Sequence, residues 1–283
     1  METLKNFEIA GASVLGTDHL KMGKNNQDFF HWLRTDDYLI AIVSDGCGSE
    51  NAKYSEVGSK LLSTIFANYL AKYLERHKNA RGENLFQNER FWEELGKDVL
   101  ARIRVIAQEM GEDWWENLRS YFLATLVGVV IRKDATCIFS CGDGFFAVNG
   151  ELQELSPFDG NCPQYFVYNL TGSDITDELK IQRHHIIPTS EVHSLMIGTD
   201  GVGDLIKAAE KPFPAQKRLV GPIEQFWSDD DYFNNLARMQ QVLNLANTER
   251  KRANWEERNL DISPGLLSDD TTLITLRRKE IEQ

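Results

Sequence analysis

Two stretches of the chain deliver an acid in the same way. Leu39-Ile40-Ala41-Ile42-Val43-Ser44 runs into Asp45-Gly46-Cys47-Gly48, and far downstream Leu195-Met196-Ile197-Gly198-Thr199 runs into Asp200-Gly201-Val202-Gly203. A continuous apolar run reads as a strand buried on both faces, and the glycines allow a sharp turn and a close backbone approach. Taken singly, Asp-Gly is a common turn former. Two such turns, with further acids at Asp28, Asp143 and Asp269-Asp270, ask for a common explanation. Gathered carboxylates repel one another unless they are protonated or neutralised by a cation. Oxygen-only ligands without His or Cys favour Mg²⁺ or Mn²⁺ over zinc. Two such ions about 3.5–4 Å apart would bind a phosphoryl oxygen and activate a water.

The elements that must position these acids follow from periodicity. Residues 8–16, 28–34 and 38–44 read as strands, with a polar loop from Thr17 to Gln27. Tyr54 to His77 carries Val57, Leu61, Ile65, Tyr69 and Tyr73 at helical spacing, Arg81-Gly82-Glu83-Asn84 breaks it, and a second helical block runs from Glu89 to Met110. Trp114 and Trp115 read as core or helix-packing aromatics. From Tyr121 the pattern turns to strands at Tyr121–Ile131, Cys137–Ser140 and Phe145–Val148. An irregular loop of about 156–176 leads to strands near 179–187 and 193–198. Helical character from 204 onward, interrupted by Pro212, Pro214 and Pro222, suggests an insertion of about 204–260. A last strand, Thr271 to Leu276, precedes a charged tail, 277–283. Strands, long helices, more strands, helices and a final strand make an α+β pattern, since alternating βαβ units are absent. The last strand must pair back to bury Leu273, Ile274 and Leu276, so residues 1–283 read as one domain.

Composition narrows the classes. A formal net charge of −12 over 283 residues argues against a nucleic-acid-binding surface. The N-terminus has no apolar core of signal-peptide length, and the longest apolar run is about half of the roughly 20 residues a membrane helix needs. Cys47, Cys137, Cys141 and Cys162 form no CxxC pair, which fits thiols in a reducing compartment. The expectation is a cytoplasmic protein with no nucleic-acid or membrane partner.

Five motifs in order carry a resemblance: Gln27-Asp28, Ser44-Asp45-Gly46-Cys47-Gly48-Ser49, Cys141-Gly142-Asp143-Gly144, Gly198-Thr199-Asp200-Gly201-Val202-Gly203-Asp204 and Asp269-Asp270-Thr271-Thr272-Leu273. This order resembles the metal-dependent type-2C (PPM) serine/threonine protein phosphatases, and Gly16-Thr17-Asp18-His19 with Asn26-Gln27-Asp28 is similar to a bacterial branch of them. The resemblance implies two antiparallel sheets packed as a sandwich with helices on both outer faces. It also implies hydrolysis of phosphoserine or phosphothreonine in proteins by a water or hydroxide bridging two Mg²⁺ or Mn²⁺ ions, with a third ion as a further site. By the same resemblance Asp45 bridges both metals, Gly46 gives its carbonyl, Asp200 and Asp269 complete one ion, and Asp143 shares the third with Asp200. Asp28 would hold metal-bound water, which makes Asp28, Asp45 and Asp200 the catalytic acids. A phosphoprotein substrate with a cognate Ser/Thr kinase in signalling is the implied partner.

Departures from the family pattern shape the alternatives. The phosphate-binding Arg expected five residues before Asp28 is Gly23, and the Arg of the Gly-Asp-Ser-Arg turn is Phe145. His19, Lys24 or Lys21 could supply the missing charge; His19 could equally cap its loop, and the lysines could be solvated surface. Cys47 stands where some members carry a His, and reads as a small filler or an oxidation-sensitive thiol. His184 and His185 alternate faces of a strand and cannot both reach one metal. A phosphatase-like binding module of weak or no activity, and a small-metabolite phosphatase, remain open readings.

Overall fold

The computed structural model describes residues 4–49, 52–155, 163–170 and 180–279. In chain order the elements are β1 Phe7–Val14, α1 Thr17–Met22, β2 Phe29–Arg34, β3 Tyr38–Ser44, α2 Ser55–Arg76, α3 Gly82–Gln87, α4 Glu89–Glu109 and α5 Trp114–Tyr121. There follow β4 Leu126–Arg132, β5 Ala135–Cys141, β6 Gly144–Val148, β7 Glu151–Leu155, β8 Gln182–Pro188 and β9 Ser194–Gly198. The chain then forms α6 Val202–Lys207, α7 Gln225–Ser228, α8 Asp231–Asn234, α9 Arg238–Asn247, β10 Arg250–Asn254, β11 Asn259–Ser263 and β12 Thr271–Arg278.

Two antiparallel five-stranded sheets result, in the orders β1-β12-β9-β6-β7 and β2-β3-β4-β5-β8. Side-chain alternation explains why both faces of each sheet are covered. On β3, Leu39, Ala41 and Val43 face the layer between the sheets, with Val127, Ile197 and Ile274. Ile40 and Ile42 face outward into a core with Phe66 and Leu70 of α2 and Trp92 and Leu95 of α4. On the other outer face Ala10, Met196 and Leu273 pack beneath Phe226, Met239 and Val242. The molecule is thus an α+β sandwich with helices on both outer faces. No described helix is long and apolar enough to cross a membrane.

Register brings the acids together. Val14 of β1 pairs with Thr271, Leu273 of β12 with Gly198, and Gly198 with Phe145 of β6. In the other sheet Phe29 pairs with Ser44, Val43 with Val127, and Leu126 with Cys141. The starts of β2, β4, β6 and β12 and the ends of β1, β3, β5 and β9 therefore share one rim. Asp28, Asp45, Asp143, Asp200 and Asp269 all flank those strand ends.

Several expectations need correction. The loop after β1 contains α1, which ends at Gly23 in the left-handed conformation (φ 69°), where glycine has no steric penalty. Gly82 opens α3, with its N–H donating to Asp134 Oδ2 at 2.6 Å, so that stretch starts a helix as well as ending one. Trp114–Tyr121 is helical rather than the approach to a strand; the Asp113 side chain caps it by accepting the Glu116 N–H. The 204–260 region is helical only in pieces, and residues 250–263 form a hairpin whose strands pair with each other alone. Arg277 and Arg278 belong to β12, not to a tail. Trp115 is 38% exposed, so it is no core residue. Most of the expected irregular loop of about 156–176, and Cys162, lie outside the described residues.

Candidate active site: an acid rim and its cleft

Backbone and side-chain contacts hold the segments that carry these acids. The Asp45 N–H donates to Thr125 Oγ1 at 3.2 Å and its carbonyl accepts from Thr125 N–H at 2.8 Å. Gly46 donates to Gln27 O at 3.1 Å, and a Cβ there would sit 2.7 Å from that oxygen and 2.8 Å from Ser55 O. Only glycine fits so close a backbone crossing. Asp28 is buried, with Oδ2 accepting from Thr199 Oγ1 at 2.7 Å. Asp204 Oδ2 accepts from Ser268 N–H at 2.9 Å and from the Ser268 hydroxyl, fixing the segment that carries Asp269.

Burial and mutual repulsion raise these carboxyls together. Asp45 lies well above the usual carboxylate range through burial first, then Asp200, Asp28, Asp269 and Asp143. Asp28 is raised well above it by burial and then by Asp270, and Asp200 is pushed up to about 7 by burial, then Asp269 and Asp143. Asp143 and Asp269 are raised, chiefly by burial. Asp28 Oδ1 and Asp143 Oδ1 are buried without a hydrogen-bond partner among the described residues. Unpaired anionic oxygens that repel one another are what a hard cation neutralises, so the residues fit Mg²⁺ or Mn²⁺.

A cleft of about 970 Å³ opens on the rim. His19, Asp45, Gly46, Asp143, Asp200 and Asp269 line it together with Trp115, Arg119, Tyr165 and Tyr168. Asp28 stands behind this lining, joined to the turn of Asp200 through Thr199. Cys47, Cys137 and Cys141 are buried, and Cys47 lines the cleft with its Sγ 3.2 Å from Ser49 Oγ.

A family model for protein phosphatase 2C matches residues 15–250. The chain belongs to the protein phosphatase 2C family. It is a serine/threonine protein phosphatase, a hydrolase whose substrates are phosphoproteins. Solved structures share its fold: a bacterial serine phosphatase is 14% identical with a TM-score of 0.52, over 98% of this chain and 100% of that one. Serine/threonine phosphatase Stp1 from Staphylococcus aureus is 15% identical with a TM-score of 0.53, over 98% and 96% of the two chains. No curated protein sequence matches this one.

The cations that the sequence offers in place of the missing Arg have different surroundings. Gly23 has nothing within 4 Å of its would-be Cβ, yet its positive φ strains any side chain placed there. Lys24 is not among the cleft-lining side chains; its ammonium donates to Gly48 O at 2.7 Å. Lys21 pairs with Asp18 at 2.9 Å. His19 does line the cleft, with Nδ1 3.0 Å from Asp270 Oδ2 and 4.0 Å from Asp269 Oδ1.

Asp270, to which the sequence reading attached no role, ties this end together. Its two oxygens accept the Gly16 and Gln27 N–H groups, each at 2.6 Å. Ligand atoms of His19, Asp269 and Asp270 lie within 4.8 Å of one another, but Asp270 already serves two backbone donors and is better described as an anchor for His19 and for the segment carrying Asp28. The adjacent acids in Asp269-Asp270 were its only signal in the sequence.

Proposed function

We propose that this phosphatase hydrolyses phosphoserine and phosphothreonine in proteins with two Mg²⁺ or Mn²⁺ ions, and that residues 1–283 act as one catalytic domain. The observation that carries the reading is the convergence on one rim of five carboxylates from distant segments, raised by burial and mutual repulsion, four of which line the cleft. Asp45 and the Gly46 carbonyl would hold the ions from one side and Asp200 and Asp269 from the other, with Asp143 and Asp200 offering a weaker third site. When bound, such ions polarise the phosphoryl oxygens and acidify a water. Asp28, whose Oδ2 accepts from the Thr199 hydroxyl, would orient a water at the rim from behind the ion-holding acids. His19, whose Nδ1 lies 3.0 Å from Asp270 Oδ2 and which lines the cleft, would approach a phosphoryl oxygen.

Membership of a family of protein phosphatases favours a phosphoprotein over a small metabolite. One observation favours a weakly active binding module: the family's Arg position is Gly23. The retained acids count against it, because a module freed from catalysis has no use for a repulsive cluster. A cytoplasmic setting, a cognate Ser/Thr kinase and the absence of nucleic-acid or membrane partners complete the proposal. The test is Mn²⁺-dependent phosphate release from an aryl phosphate and a phosphothreonine peptide. Activity abolished by chelator and restored by Mn²⁺ is expected; stoichiometric zinc with activity indifferent to Mn²⁺ would sink it.

A further inference from the structure

A phosphoryl dianion entering a cleft floored by carboxylates needs a fixed positive group on the protein. Gly23 offers none, Lys21 pairs with Asp18 at 2.9 Å, and the Lys24 ammonium, outside the lining, is held by the Gly48 carbonyl at 2.7 Å. Among the described residues lining the cleft, Arg119 is the one permanently charged cation. It is exposed, and no described residue gives it a hydrogen bond or ion pair. Glu116, three residues earlier, accepts from the Ser120 hydroxyl at 3.2 Å instead, and Asp113 accepts the Glu116 N–H.

Backbone contacts set Arg119 close to the acid rim. Leu123 O accepts the Cys47 N–H at 2.9 Å, Ala124 bridges to Gly46, and Ser120 O accepts the Tyr54 N–H at 2.9 Å. Arg119 thus lies near the C-terminal end of α5, four residues before Leu123, which is bonded directly to the loop that carries Asp45. Trp115, another turn back on the same helix face, also borders the cleft.

We propose that Arg119 is the residue that captures the substrate's phosphoryl group, replacing from α5 the guanidinium missing at Gly23. The proposal rests on the phosphatase reading above. A guanidinium presents two parallel donors to phosphoryl oxygens, a geometry an ammonium cannot reproduce. With no hydrogen-bond or ion-pair partner among the described residues, Arg119 gives up no such pair there when substrate binds. Its long side chain lets it reach in from the wall and then release product phosphate.

The experiment compares Arg119→Met and Arg119→Lys with the parent, using an aryl phosphate, a phosphothreonine peptide, and calorimetric titration of inorganic phosphate into the Mn²⁺-loaded protein. Methionine keeps the helix propensity and stem of the side chain, and an unchanged melting temperature will confirm the fold. The expected result for Arg119→Met is a rise in KM of about tenfold for both substrates, with kcat altered far less and phosphate affinity lowered by a similar factor. Arg119→Lys should recover part of both. Unchanged KM and unchanged phosphate affinity would overturn the proposal. So would a KM rise confined to the peptide, which would assign Arg119 to an acidic residue flanking the phosphorylated one. If the parent shows no Mn²⁺-dependent turnover, the phosphatase reading fails, while the phosphate titration still decides the assignment of Arg119.

Discussion

The two Asp-Gly-x-Gly turns share a motif and serve the same cleft, yet they are built differently. After Asp45 the chain stays extended: Gly46 bridges to Ala124 and Cys47 bonds to Leu123, so the turn is clamped between β4 and the Gln27 loop. After Asp200 the chain folds straight into α6, with Gly203 N–H donating to Asp200 O at 2.8 Å. Asp45 feels four other acids, and its carboxyl is raised well above its ordinary range; Asp200 is raised to about 7 and is partly relieved by the Gly201 N–H. The lesson is that one sequence motif yields a hub in one place and a flank in the other, because the neighbouring strands differ.

The strongest way to break that contrast is to neutralise each acid. Asp45→Asn keeps the side-chain shape but weakens attraction to any shared cation. It should lower kcat on the order of 10³-fold or more, roughly 4 kcal/mol of transition-state stabilisation. The metal-free melting temperature should equal or exceed the parent's, since repulsion is relieved. Asp143→Asn should slow turnover while leaving paired-metal binding intact by calorimetry. Near-parental turnover in Asp45→Asn, with paired-metal binding lost in Asp143→Asn, would reverse the assignment.

The glycines probe the backbone crossings. An added Cβ at Gly201 would sit 2.0 Å from Asp270 O, against 2.7 Å from Gln27 O at Gly46. Both Ala variants should lose stability, by about 1–3 kcal/mol, with Gly201→Ala the worse of the two in chemical denaturation. Equal midpoints would show that the Asp200 turn yields as easily as the clamped one.

Metal-free protein should also report the raised carboxyls through pH. Asp200 titrates near 7 in the fold against 3.8 ordinarily, so the folded state holds the proton more tightly than the unfolded chain. That stabilisation is full below about 3.8 and is lost as pH rises through about 7. Melting temperature in chelator should therefore fall from pH 5 to pH 8, and Asp200→Asn should flatten the slope. A parental melting temperature that rises over this range would contradict it.

The smallest expected effect is His19→Ala, which should raise KM for phosphopeptide by a few-fold, on the order of 1 kcal/mol or less, with Mn²⁺ affinity preserved. A loss of metal affinity with KM unchanged would make His19 part of the metal shell.

Much of this was legible before folding was considered. Buried-strand runs before Asp45 and Asp200, and glycines where backbones cross, are local signals set by side-chain chemistry and φ/ψ limits. They marked the acids and the sheets that bear them. Short elements escaped: α1, α5 and the β10–β11 hairpin are too brief or too polar for a periodic pattern to outweigh turn-like composition. Arg119 escaped with α5, because nothing near it in the sequence is acidic rim or phosphate motif. Local chemistry therefore determined which residues could bind a cation. Only the antiparallel register decided that Asp28, Asp45, Asp143, Asp200 and Asp269 share one rim, that Asp270 anchors two loops, and that Arg119 faces their cleft. Those are contacts between residues far apart in the chain, fixed by sheet pairing and by packing between layers, which no local pattern encodes.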